Sequence, residues 1–131
     1  KLHCEILARE LNVTDRVKFL GSRSDVAELI SSSYIGIQSS NWEGFGLTAV
    51  EIMACGKPII ASGVDGLKQI VEGAGLIFIK GDEKDLANQI NLLLNNKDYY
   101  ESISQKCEER ASLFDIKVMA NKYKQIYNEL T

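Results

Sequence analysis

Several residue types are scarce in this 131-residue chain, and each scarcity argues against a class of protein. One proline and ten glycines are too few for a collagenous chain or for a disordered chain rich in these residues. Cys4, Cys55 and Cys107 are odd in number and far apart, which argues against a disulfide framework and a CxxC metal or redox site. His3 is the only histidine, so neither a Ser-His-Asp triad nor a His-rich metal site is expected.

Long apolar runs and basic stretches are also missing. No run of about 18 apolar residues occurs, so we predict no transmembrane segment. The 15 Lys and Arg against 18 Asp and Glu give a net charge of −3 without a basic stripe, which argues against nucleic-acid binding. The unpaired cysteines favour a cytoplasmic location. The first residues have the pattern of a helix already under way rather than of a signal peptide, so we expect part of a longer protein.

Predicted strands and helices alternate before Asp82, and helices follow it. The predicted strands are 17–20, 34–38, 58–61 and 76–79, and the predicted helices are 1–12, 24–32, 47–55, 67–71, one beginning after Asp82, about 98–111 and about 115–130. Such alternation implies right-handed crossovers and a mostly parallel α/β sheet. Ser22 or Ser24 is the predicted N-cap of the helix at 24–32. Asp82 is the predicted N-cap of the helix that begins directly after it, with Asp85 at the capping-box offset.

The last three helices carry apolar residues at helical spacing, which predicts the faces that pack against the core. These stripes are Leu86, Ile90, Leu93 and Leu94; Tyr100, Ile103, Cys107 and Ala111; and Met119, Tyr123, Ile126, Tyr127 and Leu130. The tyrosines at positions 99, 100, 123 and 127 are accordingly predicted to be packing residues.

The loop at residues 39–46 is the strongest candidate for a binding site. In parallel sheets, ligands lie at the carboxyl ends of the strands, and this is the longest loop that leaves such an end. Gly44 and Gly46 flank Phe45 where the chain turns into a helix, which lets a ligand approach the backbone. The amides near Leu47 and Thr48 begin that helix without intrahelical partners, so they favour a phosphate, and Thr48 adds a hydroxyl.

Two glutamates flank this predicted phosphate site. Glu43 precedes the glycines, and Glu51 lies in the helix, roughly 7–8 Å along its axis from Gly46. One interpretation is that Glu43 binds sugar hydroxyls and Glu51 the ribose hydroxyls of a nucleoside diphosphate-sugar. The other is a helix N-terminal acid and a core salt bridge. A glycosidase pair is disfavoured, because that chemistry needs two carboxyls facing each other across one bond. Trp42 is more often the wall of such a pocket than a contact.

The motif EGFGLTAVE, a Glu-x7-Glu pattern, resembles the donor-binding signature of retaining GT-B glycosyltransferases of the GT4 type, the glycosyl transferases group 1 family. The resemblance extends over SSNWEGFGLTAVEIMACGKPIIAS, the preceding DRVKFLGSRSDVAELISSSYIGIQSS and the closing FDIKVMANKYKQIYNEL, nearly the whole chain. It implies that Glu43 acts beside the reacting centre and that Glu51 binds the ribose. The other donor-binding residues that it implies are Gly44, Phe45, Gly46, Leu47 and Thr48 at the sugar and diphosphate, and Gly21, Ser22 and Arg23 near the base.

The resemblance also implies an architecture and a chemistry. Residues 1–131 are expected to be part of a nucleotide-sugar donor-binding domain: a Rossmann-like parallel sheet with flanking helices, most of the C-terminal domain of a GT-B glycosyltransferase, lacking its first strand-helix-strand unit. The family's Arg and Lys that clamp the diphosphate would lie upstream of Lys1, so this piece alone is expected to be inactive. No cofactor or metal is expected.

The expected partners are a nucleotide-sugar donor and, through a missing N-terminal domain, a saccharide or lipid-linked acceptor. Any membrane association would depend on that domain, and polysaccharide biosynthesis is the expected context. Two alternatives stay open: a non-catalytic nucleotide- or phospho-sugar-binding module on the same scaffold, and a degenerate domain that serves only as an interaction surface.

Overall fold

A computed structural model describes residues 2–129 of the chain. The helices are α1 (Leu2–Glu10), α2 (Val26–Ser32), α3 (Leu47–Ala54), α4 (Asp65–Val71), α5 (Glu83–Asn95), α6 (Lys97–Ser112) and α7 (Ile116–Glu129), with a 3-10 turn at Thr14–Arg16. The strands are β1 (Gly36–Gln38), β2 (Ile59–Ser62) and β3 (Leu76–Phe78). The alternation of strands and helices predicted from residue 34 to residue 82 is therefore confirmed.

The three strands form one parallel sheet in the order β1-β2-β3. The central strand β2 is buried along its whole length, as expected for a parallel strand covered on both faces. Gln38 pairs with Ala61, and Ser62 pairs with Phe78. This register brings the carboxyl ends of all three strands to one edge of the sheet, where the loops 39–46, 63–64 and 79–82 emerge.

The long helix α6 ties the outer elements to the sheet. Its buried residues Ile103, Cys107 and Ala111 belong to the same core cluster as β2, as the stripe predicted. At its first turns, the Tyr100 hydroxyl donates to the Tyr34 carbonyl oxygen at 2.8 Å, and the two rings stack with centroids 4.2 Å apart. Tyr99 and Tyr100 are half-buried, which confirms their packing role. Burial raises the pKa of the Cys107 thiol, because the thiolate is poorly solvated there.

The predicted strand at 17–20 is wrong. Val17 has extended backbone angles, but the segment makes no sheet pairing, and its apolar side chains are exposed. Within residues 2–129, β1 pairs only with β2, so the segment 17–20 has no neighbouring strand with which to form backbone hydrogen bonds. Its β-branched and aromatic composition indicated a strand, but a strand also needs a neighbour.

The predicted helix caps are partly wrong. Asp25, rather than Ser22 or Ser24, occupies the N-cap of α2, and its side chain makes no capping bond because it binds Arg23 instead. Asp82 does cap α5, accepting from the amides of Lys84 and Asp85 at 3.0 and 2.9 Å.

The Asp85 carboxylate does not complete a capping box. It accepts from the Ile79 amide at 2.7 Å, so it binds the chain leaving β3 rather than the start of its own helix.

Helix α7 departs most from the predicted packing. Its stripe residues Met119, Tyr123, Ile126 and Tyr127 are 50 to 67% exposed, so Tyr123 and Tyr127 are not buried in the core as predicted. No described residue of α7 is buried. Helical spacing identified the apolar face correctly, but spacing does not say what covers that face. Leu130 lies outside the described residues.

One stripe residue of α5 also fails. Leu94 is 55% exposed, whereas Leu93 is buried and Leu86 and Ile90 are half-buried. The inner face of α5 is therefore narrower than the sequence stripe suggested.

Candidate active site

The loop at residues 39–46 joins β1 to α3 and is held by side chains from the two neighbouring strand ends. The Ser62 hydroxyl, at the end of β2, donates to the Ser40 carbonyl oxygen at 2.6 Å, and Ser62 is only 1% exposed. The Lys80 ammonium, after β3, donates to the Asn41 carbonyl oxygen at 2.7 Å. Both bonds link segments far apart in sequence, so the loop is fixed by the tertiary structure rather than by its own turn.

Two glycines allow the same loop to lie against α4. Gly46 has φ of 87°, and a Cβ there would stand 2.8 Å from Leu67 Cδ2. A Cβ on Gly66 would overlap the carbonyl oxygen of Glu43. The backbone at 43–46 is thus packed against α4 without any room for a side chain at either glycine. Sequence reasoning missed Gly66, which lies in the first turn of α4 and was assigned from the sequence to the segment before that helix.

The N-terminus of α3 is open. Gly46 is its N-cap residue, no side chain accepts a hydrogen bond from its first amides, and its first turn contains no acidic residue. By contrast, Asp82 and Asn96 accept from the first amides of α5 and α6. Leu47 and Thr48 are exposed at the start of α3. An uncapped helix start with accessible amides is a favourable place for an anion, because both the free N–H groups and the helix dipole attract negative charge.

Glu43 lies on one side of this helix start. It is half-buried, and its Oε2 atom accepts a hydrogen bond from Gln38 Nε2 at 2.9 Å. Its other oxygen has no hydrogen-bond partner within residues 2–129. The carboxylate is therefore held at one atom and available at the other. Gln38, at the end of β1, was also missed by sequence reasoning.

Glu51 lies on the other side, one turn into α3. Its side chain is exposed and has no hydrogen-bond or ion-pair partner within residues 2–129, which rules out the alternative of a core salt bridge in this part of the chain. It borders a groove of about 260 Å³ between α2 and α3, lined also by Val26, Ala27, Ile30, Ala54 and Cys55. Cys55, the half-buried C-cap residue of α3, is one of these lining residues.

The loop at residues 21–23 leads into α2, the other wall of that groove. Arg23 Nε donates to Asp25 Oδ1 at 2.6 Å, and Nη2 donates to Oδ2. This charge-assisted pair raises the pKa of Arg23 and lowers the pKa of Asp25. Gly21 adopts φ of 68°, and Ser22 is exposed. Glu51 thus borders α2, the helix into which this loop leads, whereas the Glu43 backbone packs against α4.

The aromatic residues of the loop differ in environment. Trp42 is 83% exposed, so it does not form the wall of a pocket within residues 2–129. Phe45 packs edge-to-face on Phe114, in the turn between α6 and α7, with centroids 5.8 Å apart. Arg110 lies over the Phe114 ring at 5.4 Å and donates to two carbonyl oxygens at the end of α4. The loop is therefore supported from α6 as well.

Neither metal ligands nor a membrane-spanning helix is found in residues 2–129. No three His, Cys, Asp or Glu side chains of this part are grouped to hold a metal ion. None of its helices is both long and apolar enough to cross a membrane.

Comparison with known proteins agrees with this geometry. The sequence model of the glycosyl transferases group 1 family matches residues 2–110. The chain belongs to that family. Over 127 residues it is 31% identical to N-acetyl-alpha-D-glucosaminyl L-malate synthase of Bacillus anthracis, covering 95% of this chain and 33% of that protein.

Solved structures show the same fold. Sucrose-phosphate synthase from Thermosynechococcus elongatus superposes with a TM-score of 0.87 at 36% identity, covering 97% of this chain and 33% of that one. Anabaena HepE in complex with UDP superposes with a TM-score of 0.91 at 28% identity, covering 97% of this chain and 36% of that one. The parallel sheet with flanking helices matches the Rossmann-like C-terminal domain of GT-B glycosyltransferases. The chain spans about a third of the length of the family members that it matches.

Proposed function

We propose that this chain is the donor-binding part of a retaining glycosyltransferase of the GT4 type. The whole protein would transfer a sugar from a nucleoside diphosphate-sugar to a saccharide or lipid-linked acceptor. The observation that carries this proposal is the open N-terminus of α3, with Glu43 and Glu51 on either side. Each carboxylate has at least one oxygen without a partner within residues 2–129. Such an arrangement suits a ligand with an anionic centre and hydroxyl groups at both ends.

The diphosphate of the donor would accept hydrogen bonds from the amides of Leu47 and Thr48. As the bond between sugar and diphosphate breaks, negative charge grows on the leaving phosphate. Amides and a helix dipole already aimed at that position stabilise the charge without reorganising. Gly44 is exposed at this point, and the contacts of Ser62 and Lys80 with the loop keep the loop fixed.

The two glutamates would orient the ends of the donor. Glu43 Oε1 would accept from sugar hydroxyls beside the reacting carbon. Glu51 would accept from the 2′- and 3′-hydroxyls of the ribose, since two carboxylate oxygens match two vicinal hydroxyls. The nucleobase would then lie toward the groove between α2 and α3, near Gly21, Ser22 and Arg23. Arg23 would reach it only with the donors that Asp25 leaves free, or after releasing Asp25.

Relatives with bound nucleotides support UDP-sugars as the first donors to test. HepE has been crystallised with UDP and with UDP-glucose, and the latter structure superposes on 97% of this chain with a TM-score of 0.89. A metal-independent reaction, a cytoplasmic location and a role in polysaccharide biosynthesis belong to the same proposal.

Calorimetry on the complete gene product tests the donor site. We expect UDP, GDP or ADP to bind, and Glu51→Ala to weaken the best of them about tenfold, as expected for lost hydrogen bonds to a charged group. Glu101→Ala is the matched control, because Glu101 is an exposed acid on α6 that pairs with Lys97 of the same helix. Equal nucleotide affinity in the wild type and Glu51→Ala would contradict the ribose role.

A transfer assay separates the enzyme from the binding module. A protein that binds nucleotide-sugar but transfers or hydrolyses nothing with any saccharide acceptor would favour the non-catalytic alternative. Where transfer occurs, proton NMR of the fresh product gives its anomeric configuration. An inverted product would contradict the retaining assignment.

A further inference from the structure

Gln38 is the side chain that holds the Glu43 carboxylate. It is the last residue of β1, and its Nε2 atom donates to Glu43 Oε2 at 2.9 Å. Its own Oε1 atom is buried and has no hydrogen-bond partner within residues 2–129. The side chain therefore satisfies Glu43 while one of its own polar atoms stays unsatisfied.

This amide has only one useful orientation. An ionised carboxylate accepts hydrogen bonds and donates none, so Gln38 must present its nitrogen to Glu43 and turn its oxygen away. Among residues 2–129, no donor then meets that oxygen. Buried polar atoms without partners are rare and destabilising, so their retention needs a reason other than stability.

Position in the fold supplies that reason. Ser62 and Lys80 fix the backbone of the loop 39–46, because their hydrogen bonds go to the carbonyl oxygens of Ser40 and Asn41. A glutamate has three rotatable side-chain bonds, so a fixed backbone alone does not fix its carboxylate. Gln38 projects from a strand of the sheet, which is a more rigid support than a loop.

We propose that Gln38 is a positioning residue that aims Glu43 at the sugar of the donor. This inference rests on the proposed function, since it needs a sugar beside Glu43. The bond to Oε2 leaves Glu43 Oε1 as the atom that meets the sugar hydroxyls. Gln38 thus acts through Glu43 and does not touch the donor itself.

The test compares three variants in the complete gene product. Gln38→Leu removes both the donated bond and the unsatisfied oxygen at similar side-chain volume. Gln38→Glu keeps the shape but places a second carboxylate against Glu43. Gln89→Leu is the matched control, because Gln89 is also half-buried and donates to a carboxylate of its own helix, Asp85 Oδ1 at 3.2 Å.

Affinities and melting temperatures are measured with UDP, GDP and ADP and with UDP-glucose, GDP-mannose and ADP-glucose. For the best nucleotide, we expect Gln38→Leu to leave the diphosphate affinity within twofold and to weaken the nucleotide-sugar about five- to tenfold. Gln38→Glu should weaken the nucleotide-sugar further, because like charges repel. Gln38→Leu removes an unsatisfied oxygen but also leaves Glu43 Oε2 without its donor, so the two ligand affinities are the readout that separates the roles. A merely structural role predicts that the nucleotide and the nucleotide-sugar are weakened equally.

A double-mutant cycle shows whether Gln38 acts through Glu43. In a Glu43→Ala background, Gln38→Leu should cost no further nucleotide-sugar affinity. Full additivity of the two losses would overturn the inference, as would unchanged nucleotide-sugar affinity in Gln38→Leu. Either result leaves the proposed function intact if the wild type binds the donor and Glu51→Ala binds it about tenfold more weakly. A wild type that binds none of the six ligands would overturn the proposed function and this inference together.

Discussion

Gly66→Ala tests whether the packing of the loop 39–46 on α4 sets the geometry of the site. An alanine Cβ at Gly66 would overlap the Glu43 carbonyl oxygen and lie 2.8 Å from the Glu43 carbonyl carbon and 2.9 Å from the Gly44 carbonyl oxygen. Ordinary contacts of a Cβ begin near 3.4 Å. All three neighbours are backbone atoms, so no flexible side chain can move aside, and the loop itself must shift.

The size of that shift sets the expected loss. Restoring 3.4 Å requires 0.6 Å of movement at the Glu43 carbon (3.4 less 2.8) and 0.5 Å at the Gly44 oxygen (3.4 less 2.9), and more at the Glu43 oxygen. Misplacing a catalytic group by about 1 Å costs on the order of 100-fold in rate. Overpacking of this kind also costs about 2 kcal/mol of stability, which lowers Tm.

Donor turnover and thermal unfolding are both measured on the complete gene product, with Gly73→Ala as the control. Gly73 has φ of 83° and nothing within 4 Å of an added Cβ, so alanine there strains the backbone without touching the loop. We expect both variants to melt earlier but only Gly66→Ala to lose turnover about 100-fold. If Gly66→Ala retained wild-type turnover, or if Gly73→Ala lost as much, the packing at Gly66 would not control the site.

Two further predictions concern the contacts around the loop. Ser62→Ala removes the buried hydrogen bond to the Ser40 carbonyl oxygen and should lower the free energy of unfolding by about 1–2 kcal/mol. Urea unfolding measures this change, and an unchanged midpoint of the unfolding transition would mean that the bond contributes nothing to stability. Arg23 lowers the pKa of Asp25, so the pair is present above the ordinary aspartate pKa of about 3.9 and is lost as the pH falls through the lowered value. A carboxyl NMR titration should give Asp25 a midpoint below 3.9, whereas a midpoint at or above it would show that the pair does not form in solution. Because both side chains are well exposed, Asp25→Asn should leave Tm nearly unchanged.

Local sequence signals predicted the helix at the centre of the site. Gly46 and Leu47 mark the start of α3, and Gly56 followed by Pro58 stops it, as the structure shows. These signals work because the backbone preferences of glycine and proline act within a few residues. The uniformly apolar β2 was predictable for a related reason, since a strand covered on both faces needs no polar side chain.

The supports of the site were not predictable in the same way. The loop 39–46 is contacted from other elements by Gln38, Ser62, Lys80 and Gly66. The sheet register brings these residues together, and no short sequence motif predicts that register. The segment 17–20 and the apolar face of α7 show the complementary difficulty. Their composition describes a surface that packs, but not the partner that it packs against.

The most direct test of the donor site follows the backbone amides of α3 during ligand binding. In an amide NMR titration of the complete gene product with UDP and UDP-glucose, the proton resonances of Leu47 and Thr48 should move downfield as these amides donate to the diphosphate. The amides of Lys84 and Asp85, which already donate to Asp82, should stay in place and serve as the internal reference. Saturable binding that leaves Leu47 and Thr48 unmoved would place the diphosphate elsewhere and contradict the proposed site.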